Sequence, residues 1–177
     1  MRIISGAYRH IRLRPPKNLP VRPTTDKTKE SIFNMLNSYF AFDELTVLDL
    51  FSGTGNMTFE FASRGCRYVL AVEHDLRAVR YIRETAKEHG MKHVKTMKAD
   101  AFRFLERTTE SFDIIFADPP YDMHHLENLP AMVFDNDMLK PGGWFMVEHS
   151  RIHDFSGFTH FIEERHYGRT RVSVFKK

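Results

Sequence analysis

Four consecutive residues carry the sharpest chemical signal in the chain: Asp118-Pro119-Pro120-Tyr121, directly after the apolar run Phe112–Ala117. A carboxylate, a stiffened backbone carbonyl and an aromatic face side by side suit one task. An exocyclic amine on a nucleobase is a poor nucleophile because its lone pair is delocalised into the ring. Two acceptors aimed at its N–H bonds bias the nitrogen toward tetrahedral geometry and turn the lone pair toward a carbon electrophile. Asp118 supplies one acceptor and the Pro119 carbonyl the other. Pro119 and Pro120 fix the corner before a substrate arrives. Tyr121 offers a face on which a base stacks, for about 1–3 kcal/mol, and a base held in folded RNA would have to leave its own stack to reach it. The plain alternative is a strand-ending turn with a buried tyrosine.

A second constellation lies upstream. Val47, Leu48, Leu50 and Phe51 form a nearly continuous apolar run that breaks at Ser52-Gly53-Thr54-Gly55 before a helical pattern. A buried strand, a glycine turn and a helix open a nucleotide-binding α/β sheet, with glycines where a ligand must approach backbone N–H groups. The dinucleotide fingerprint would have a third glycine, but that position is Thr58. Asp49 lies four residues before Gly53; its charge would repel a pyrophosphate and welcome a ligand bearing an amine and a sulfonium, as S-adenosylmethionine does. Glu73 follows Gly53 by twenty residues, the place of an acidic ribose ligand. Asp75 reads as a helix cap, and Asp100 reads either as an acceptor for an adenine amine or as a cap for the helix after it. Ser52 is turn chemistry rather than a nucleophile.

The elements that must hold these residues follow from periodicity. Residues 2–13 predict a short hairpin turning near Gly6, and Pro15, Pro16, Pro20 and Pro23 an extended strap. Thr24-Thr25-Asp26 can cap a helix with an apolar stripe at Ile32, Met35, Leu36, Tyr39 and Phe40. Helices are expected over 56–64, ending at Gly65, and after Asp75 up to Gly90; a short one follows Asp100, and a longer one, with a break allowed at Pro130, covers 122–139. Strands are expected at Tyr68–Val72, Val94–Ala99, Phe112–Ala117 and Trp144–Glu148, the last after a Pro141-Gly142-Gly143 turn. A closing hairpin spans 161–175 around Tyr167-Gly168. The alternation predicts a parallel α/β sheet with antiparallel strands at its end.

Together, Asp49-x-x-x-Gly53-x-Gly55, Glu73, Asp100 and Asp118-Pro-Pro-Tyr121 resemble the amino-methyltransferase branch of the S-adenosylmethionine enzymes. Arg2-Ile3-Ile4-Ser5-Gly6 and Arg22-Pro23-Thr24-Thr25-Asp26-Lys27, with Glu30, Phe33 and Asn34, are similar to the bacterial 16S rRNA guanine-N2 methyltransferases, small-subunit methyltransferase D. The resemblance spans essentially the full length. It implies a Rossmann-like class I methyltransferase fold: a mostly parallel seven-stranded sheet with helices on both faces, an antiparallel C-terminal strand and a small N-terminal β-hairpin extension. It implies S-adenosyl-L-methionine held by Asp49, Phe51, Ser52, Gly53, Gly55, Glu73, His74, Asp100 and Ala101, and catalysis by Asp118, Pro119, Pro120 and Tyr121. Arg2, Arg9, Arg12, Arg22, Thr24, Thr25 and Lys27 would then contact 16S rRNA, in the small ribosomal subunit or an assembly intermediate. The target would be the N2 amine of one guanine, conventionally numbered 966. The motifs alone leave adenine N6 and cytosine N4 open.

Whole-chain properties agree. At 177 residues, 42% hydrophobic and 28% charged, the sequence fits one soluble domain, with residues 1–24 a basic extension and 25–177 the catalytic core. It has no long apolar run and no signal-peptide pattern, so the expected address is the cytoplasm. Cys66 reads as a buried structural thiol. Net charge is +3, yet residues 1–30 hold eight Lys/Arg against Asp26 and Glu30, which predicts a basic arm on a near-neutral body and a nucleic-acid partner. His89 with His93 and His124-His125 lack metal-ligand spacing, so no metal is expected. No G-x-S-x-G elbow and no phosphate loop ending in Gly-Lys-Ser/Thr occurs. Two further readings are weighed: a DNA amino-methyltransferase, for which about 180 residues leave little room for a recognition domain, and a non-catalytic RNA-binding protein of this fold.

Overall fold

Val47, Leu48, Asp49 and Leu50 are all buried because the strand that carries them, β1 (Thr46–Leu50), lies in the middle of a sheet covered on both faces. Side chains on a strand alternate between faces, and the apolar contacts alternate with them. Val47, Ile114 and Phe116 join one core; Leu48, Leu50, Ile115 and Ala117 join the other. The computed structural model describes residues 1–16, 25–120 and 123–177, and seven strands run through it in the order β3-β2-β1-β4-β5-β7-β6. β2 (Tyr68–Glu73), β3 (Val94–Lys98), β4 (Phe112–Ala117) and β5 (Leu139–Ser150) are parallel to β1. β7 (Thr170–Lys176) runs antiparallel between β5 and β6 (Phe161–Tyr167). The sheet is the mostly parallel one that the resemblance implied.

Helices α1 (Asp26–Asn37), α2 (Asn56–Ser63) and α3 (Leu76–Glu88) contribute to the first core; α4 (Ala101–Arg107) and α5 (Leu129–Asp135) contribute to the second. The N-cap of α1 is Thr25, whose hydroxyl accepts from Thr28 N at 3.2 Å. The apolar stripe of α1 stops sooner than expected: the helix ends at Asn37, Tyr39 is 64% exposed, and its ring packs 4.7 Å from Trp144. Two other boundaries differ. Pro130 opens α5 rather than breaking a longer helix, because a proline costs nothing where no N–H is required. Pro141-Gly142-Gly143 lies inside β5, as a bulge facing the Phe112–Ile114 step of β4.

The N-terminal hairpin is reduced to a single antiparallel bridge, Arg2 to Arg12, with Ile3 N donating to Ile11 O and His10 N to Ile3 O. Its backbone bonds α2 as well. Ile4 N and Ser5 N donate to the two oxygens of Glu60, and Ala7 N donates to Ser63 O. Gly6 is required there, since a Cβ would lie 1.8 Å from Ser63 O. The arm covers the outside of α2, and every residue of that helix is buried. Glu60 is closed off with Lys29, 3.3 Å away, while Lys29 Nζ also donates to Arg2 O and Asn56 Oδ1. Burial lowers the Lys29 pKa, and Glu60 opposes the shift. The basic arm therefore presents less charge than its sequence suggests: Lys29 is 1% exposed, and Arg2 bonds Asp26 at 2.7 Å. Among the described residues, no helix is long and apolar enough to cross a membrane.

Candidate active site

Parallel strands present their carboxyl ends on one edge of the sheet, and open α/β folds bind ligands there. The ends of β1, β2 and β4 meet at a cavity of about 740 Å³, within the usual size for a cofactor-sized ligand. Asp49, Phe51, Ser52, Gly53, Glu73, His74, Asp118, Pro119 and Pro120 all line it. Strands adjacent in space thus bring together residues as far apart in sequence as Asp49 and Pro120.

Each side chain on the β1–β2 side is braced. Glu73, at the end of β2, accepts from Gly53 N at 2.9 Å through Oε2 and from Asp75 N at 2.8 Å through Oε1, so it ties the glycine turn to the neighbouring strand. His74 Nδ1 lies 2.8 Å from Glu73 Oε1, and its ring is largely exposed. Ser52 donates both N–H and O–H to Val72 O, as turn chemistry requires. Phe51 holds φ of 58°, a strained value for a bulky residue and the kind found at ligand sites. Asp49 is 2% exposed and accepts from the Thr58 hydroxyl at 2.5 Å. Burial pushes its carboxyl up to about 7, against the pull of Thr58.

Three of the expected donor-site residues stand back from the cavity wall. Gly55 is the left-handed N-cap of α2 at φ 77°, and a Cβ there would sit 2.9 Å from the Phe59 ring and 3.0 Å from Ile82, so packing explains it. Asp100 caps α4, accepting from Arg103 N at 3.0 Å. Ala101 is buried in the first turn of that helix. The capping alternative for Asp100 is therefore the one its hydrogen bond expresses.

On the other side, Asp118 N donates to Leu50 O, which sews the β4 exit onto β1. Pro119 is buried and Pro120 exposed; Tyr121 lies outside the described residues. Of the expected RNA contacts, Thr25 and Lys27 line the cavity, Arg9 and Arg12 are exposed on the arm, and Arg22 and Thr24 lie outside the described residues. Sequence reasoning missed part of the wall. Thr28 and Asn56 come from α1 and α2, Glu148 from the buried end of β5, and His166, Tyr167, Gly168, Arg169 and Thr170 from the β6–β7 turn. Among the described residues no group of three His, Cys, Asp or Glu could hold a metal ion. Cys66 is buried, which raises its thiol to about 12.

A family model described as "Conserved hypothetical protein 95" matches residues 1–176. The chain belongs to that family. One relative, from Bacillus subtilis, bears the name "Putative rRNA methyltransferase YlbH" and is 35% identical over 184 residues, covering 100% of this chain and 99% of its own. The "Ribosomal RNA small subunit methyltransferase D" of Haemophilus influenzae is 29% identical over 152 residues, 84% of this chain and 78% of its own. Among solved structures, the T. thermophilus 16S rRNA N2 G1207 methyltransferase with AdoMet and guanosine superposes with a TM-score of 0.70. It shares 22% identity and covers 90% of this chain and 45% of its own. This similarity concerns the fold.

Proposed function

We propose that this chain is an S-adenosylmethionine-dependent rRNA methyltransferase that methylates the exocyclic N2 amine of a guanine in 16S rRNA. The observation that carries it is the meeting of Asp118-Pro119-Pro120 with the Asp49–Gly53–Glu73 corner in one cavity. Full-length family membership and relatives named as rRNA methyltransferases support it. The cavity suits the cofactor: it is large enough, it holds a buried carboxylate for a cationic ligand, and Gly53 adds no side chain to its wall. Bound there, S-adenosylmethionine would supply an electrophilic methyl carbon.

The protein's own residues do the rest. Asp118 and the Pro119 carbonyl accept the two N–H bonds of the target amine and aim its lone pair across the cavity. Tyr121 stacks the extruded base. Phe51, Ser52, Gly53 and His74 contact the donor, and Glu73 holds the turn in place for it; Asp100 and Ala101 lie at the adenine end. Arg9, Arg12, Arg22, Thr24, Thr25 and Lys27 contact RNA. The whole chain acts as one domain, with 1–24 an RNA-binding extension. Its substrate is the assembled or assembling small subunit, met in the cytoplasm, and no metal is required.

The test is transfer of a tritiated methyl group to small-subunit particles from cells lacking the gene, followed by nucleoside mass spectrometry. N2-methylguanine at a single 16S position is expected. Label on adenine, cytosine or DNA would refute the reading.

A further inference from the structure

Residues 76–98 hold seven Lys/Arg against Glu84 and Glu88, a net +5. The whole chain carries +3 and residues 1–30 carry +6, so all remaining residues together sit at −8. The body is therefore not near-neutral but divided, with a second basic region as concentrated as the arm. That segment is α3 and β3, and β3 is the open edge of the sheet.

The packing of α3 sends its charge outward. Ala78, Val79, Ile82, Thr85 and Ala86 are buried, while Arg80, Arg83 and Lys87 are exposed. Between α3 and β3 runs a shallow groove whose wall includes Arg83, Lys87, Lys92, Lys95 and Thr96, and no carboxylate. Arg83 gives its Nε–H to Thr96 Oγ1 at 3.2 Å, which fixes the guanidinium at the groove and leaves its terminal NH2 groups without a protein acceptor among the described residues. Likewise, none of Arg80, Lys87, Lys92, Lys95 or Lys98 has an ion-pair partner among the described residues. The opposite edge of the sheet behaves differently. There Arg165 pairs with Glu163 and Arg171 with Glu164, so both arginines of β6 and β7 are neutralised within the protein.

The location ties this face to the cavity. Asp75 and Ala78, at the start of α3, line the cavity, so the helix leads away from its rim for about 20 Å. The N-terminal arm and α3 also pack on the same helix, α2: the arm through Glu60 and Ser63, α3 through Ile82 beside Gly55. We infer that the α3–β3 edge is a second RNA-backbone surface, which grips phosphates of the rRNA segment flanking the target while the arm grips another. Unpaired cations beside an open edge, along a groove whose wall has no carboxylate to repel a phosphate, suit a polyanion and carry no base-reading geometry. The inference rests on the rRNA reading of the cavity.

The test compares wild type with the triple variant Lys87→Gln, Lys92→Gln, Lys95→Gln and with its charge-preserving counterpart Lys87→Arg, Lys92→Arg, Lys95→Arg. Binding to protein-free 16S rRNA is measured across a salt series, and methylation of small-subunit particles at fixed salt. The Gln variant is expected to lower the magnitude of the log–log salt slope by about one per contact, hence about three, while the Arg variant retains it. KM for particles should rise about tenfold or more with kcat unchanged, and donor binding by calorimetry should stay the same. An unchanged slope and KM in an active protein overturn the second surface alone. A Gln variant weakened only on particles, with protein-free RNA unaffected, overturns it in favour of an acidic ribosomal protein. Absence of methyl transfer by wild type overturns the rRNA reading, and this surface with it.

Discussion

The two sides of the cavity are built on different plans. The β1–β2 side comes from residues 49–75, close in sequence, and its polar groups already have protein partners. Glu73 takes two backbone N–H groups and Asp49 takes the Thr58 hydroxyl. The β4 side is assembled from distant pieces: Thr25, Lys27 and Thr28 at the start of α1, Asp118 to Pro120, Glu148, and the 166–170 turn. A side made locally and braced before binding suits an invariant small ligand, because little reorganisation is left to do. A side gathered from several elements suits a larger substrate whose position depends on how those elements sit.

This contrast can be broken by experiment. Asp118→Ala should have the largest effect, a loss of about 10³-fold in kcat with donor affinity nearly unchanged, measured by single-turnover methyl transfer and calorimetry. An equal loss of donor binding would move Asp118 to the other side. Glu73→Gln should do the reverse. It removes a charge-assisted brace worth roughly 1.5–3 kcal/mol, so donor Kd should weaken by about 10- to 100-fold while kcat at saturating donor holds.

Asp49 offers a pH test. Its carboxyl titrates at about 7 in the folded chain against an ordinary 3.8, so the native state retains a proton that the unfolded chain has released. Stability should fall as pH rises from about 4 to about 7, then level off, and Asp49→Asn should remove that slope in chemical denaturation. A cationic donor favours the carboxylate, so its affinity should rise through pH 7 in wild type and stay flat in Asp49→Asn. The smallest effect is expected at the turn: Arg169→Ala should raise KM for RNA a few-fold and leave donor Kd alone. A change in donor Kd would show that the turn serves both sides.

The locally built side was the more legible, for the same reason. Asp49, Gly53 and Glu73 follow a spacing imposed by one strand–turn–helix–strand unit, so residue type and interval suffice. Thr58 was noted only as a missing third glycine, because a pattern of glycines carries no information about which carboxylate a hydroxyl will reach. Asp100 kept two meanings in sequence, since a carboxylate that caps a helix and one that accepts from a ligand are the same residue type. Periodicity marked the Tyr167–Gly168 hairpin, but nothing in its residues placed it against the cavity. That required β7 to insert antiparallel between β5 and β6.

Charge shows the limit most clearly. Counting along the chain found the arm but included Lys29, which burial and Glu60 remove from the surface. The same count averaged away the α3–β3 edge, because its excess is cancelled by acids elsewhere in the chain.

The sequence by itself determined the periodicities, the glycine turn and the Asp-Pro-Pro corner, all set by contacts within a few residues. The tertiary structure decided which carboxylates face ligand and which face backbone, and which cations meet solvent. Those outcomes depend on burial and on partners far along the chain, and neither is a local property.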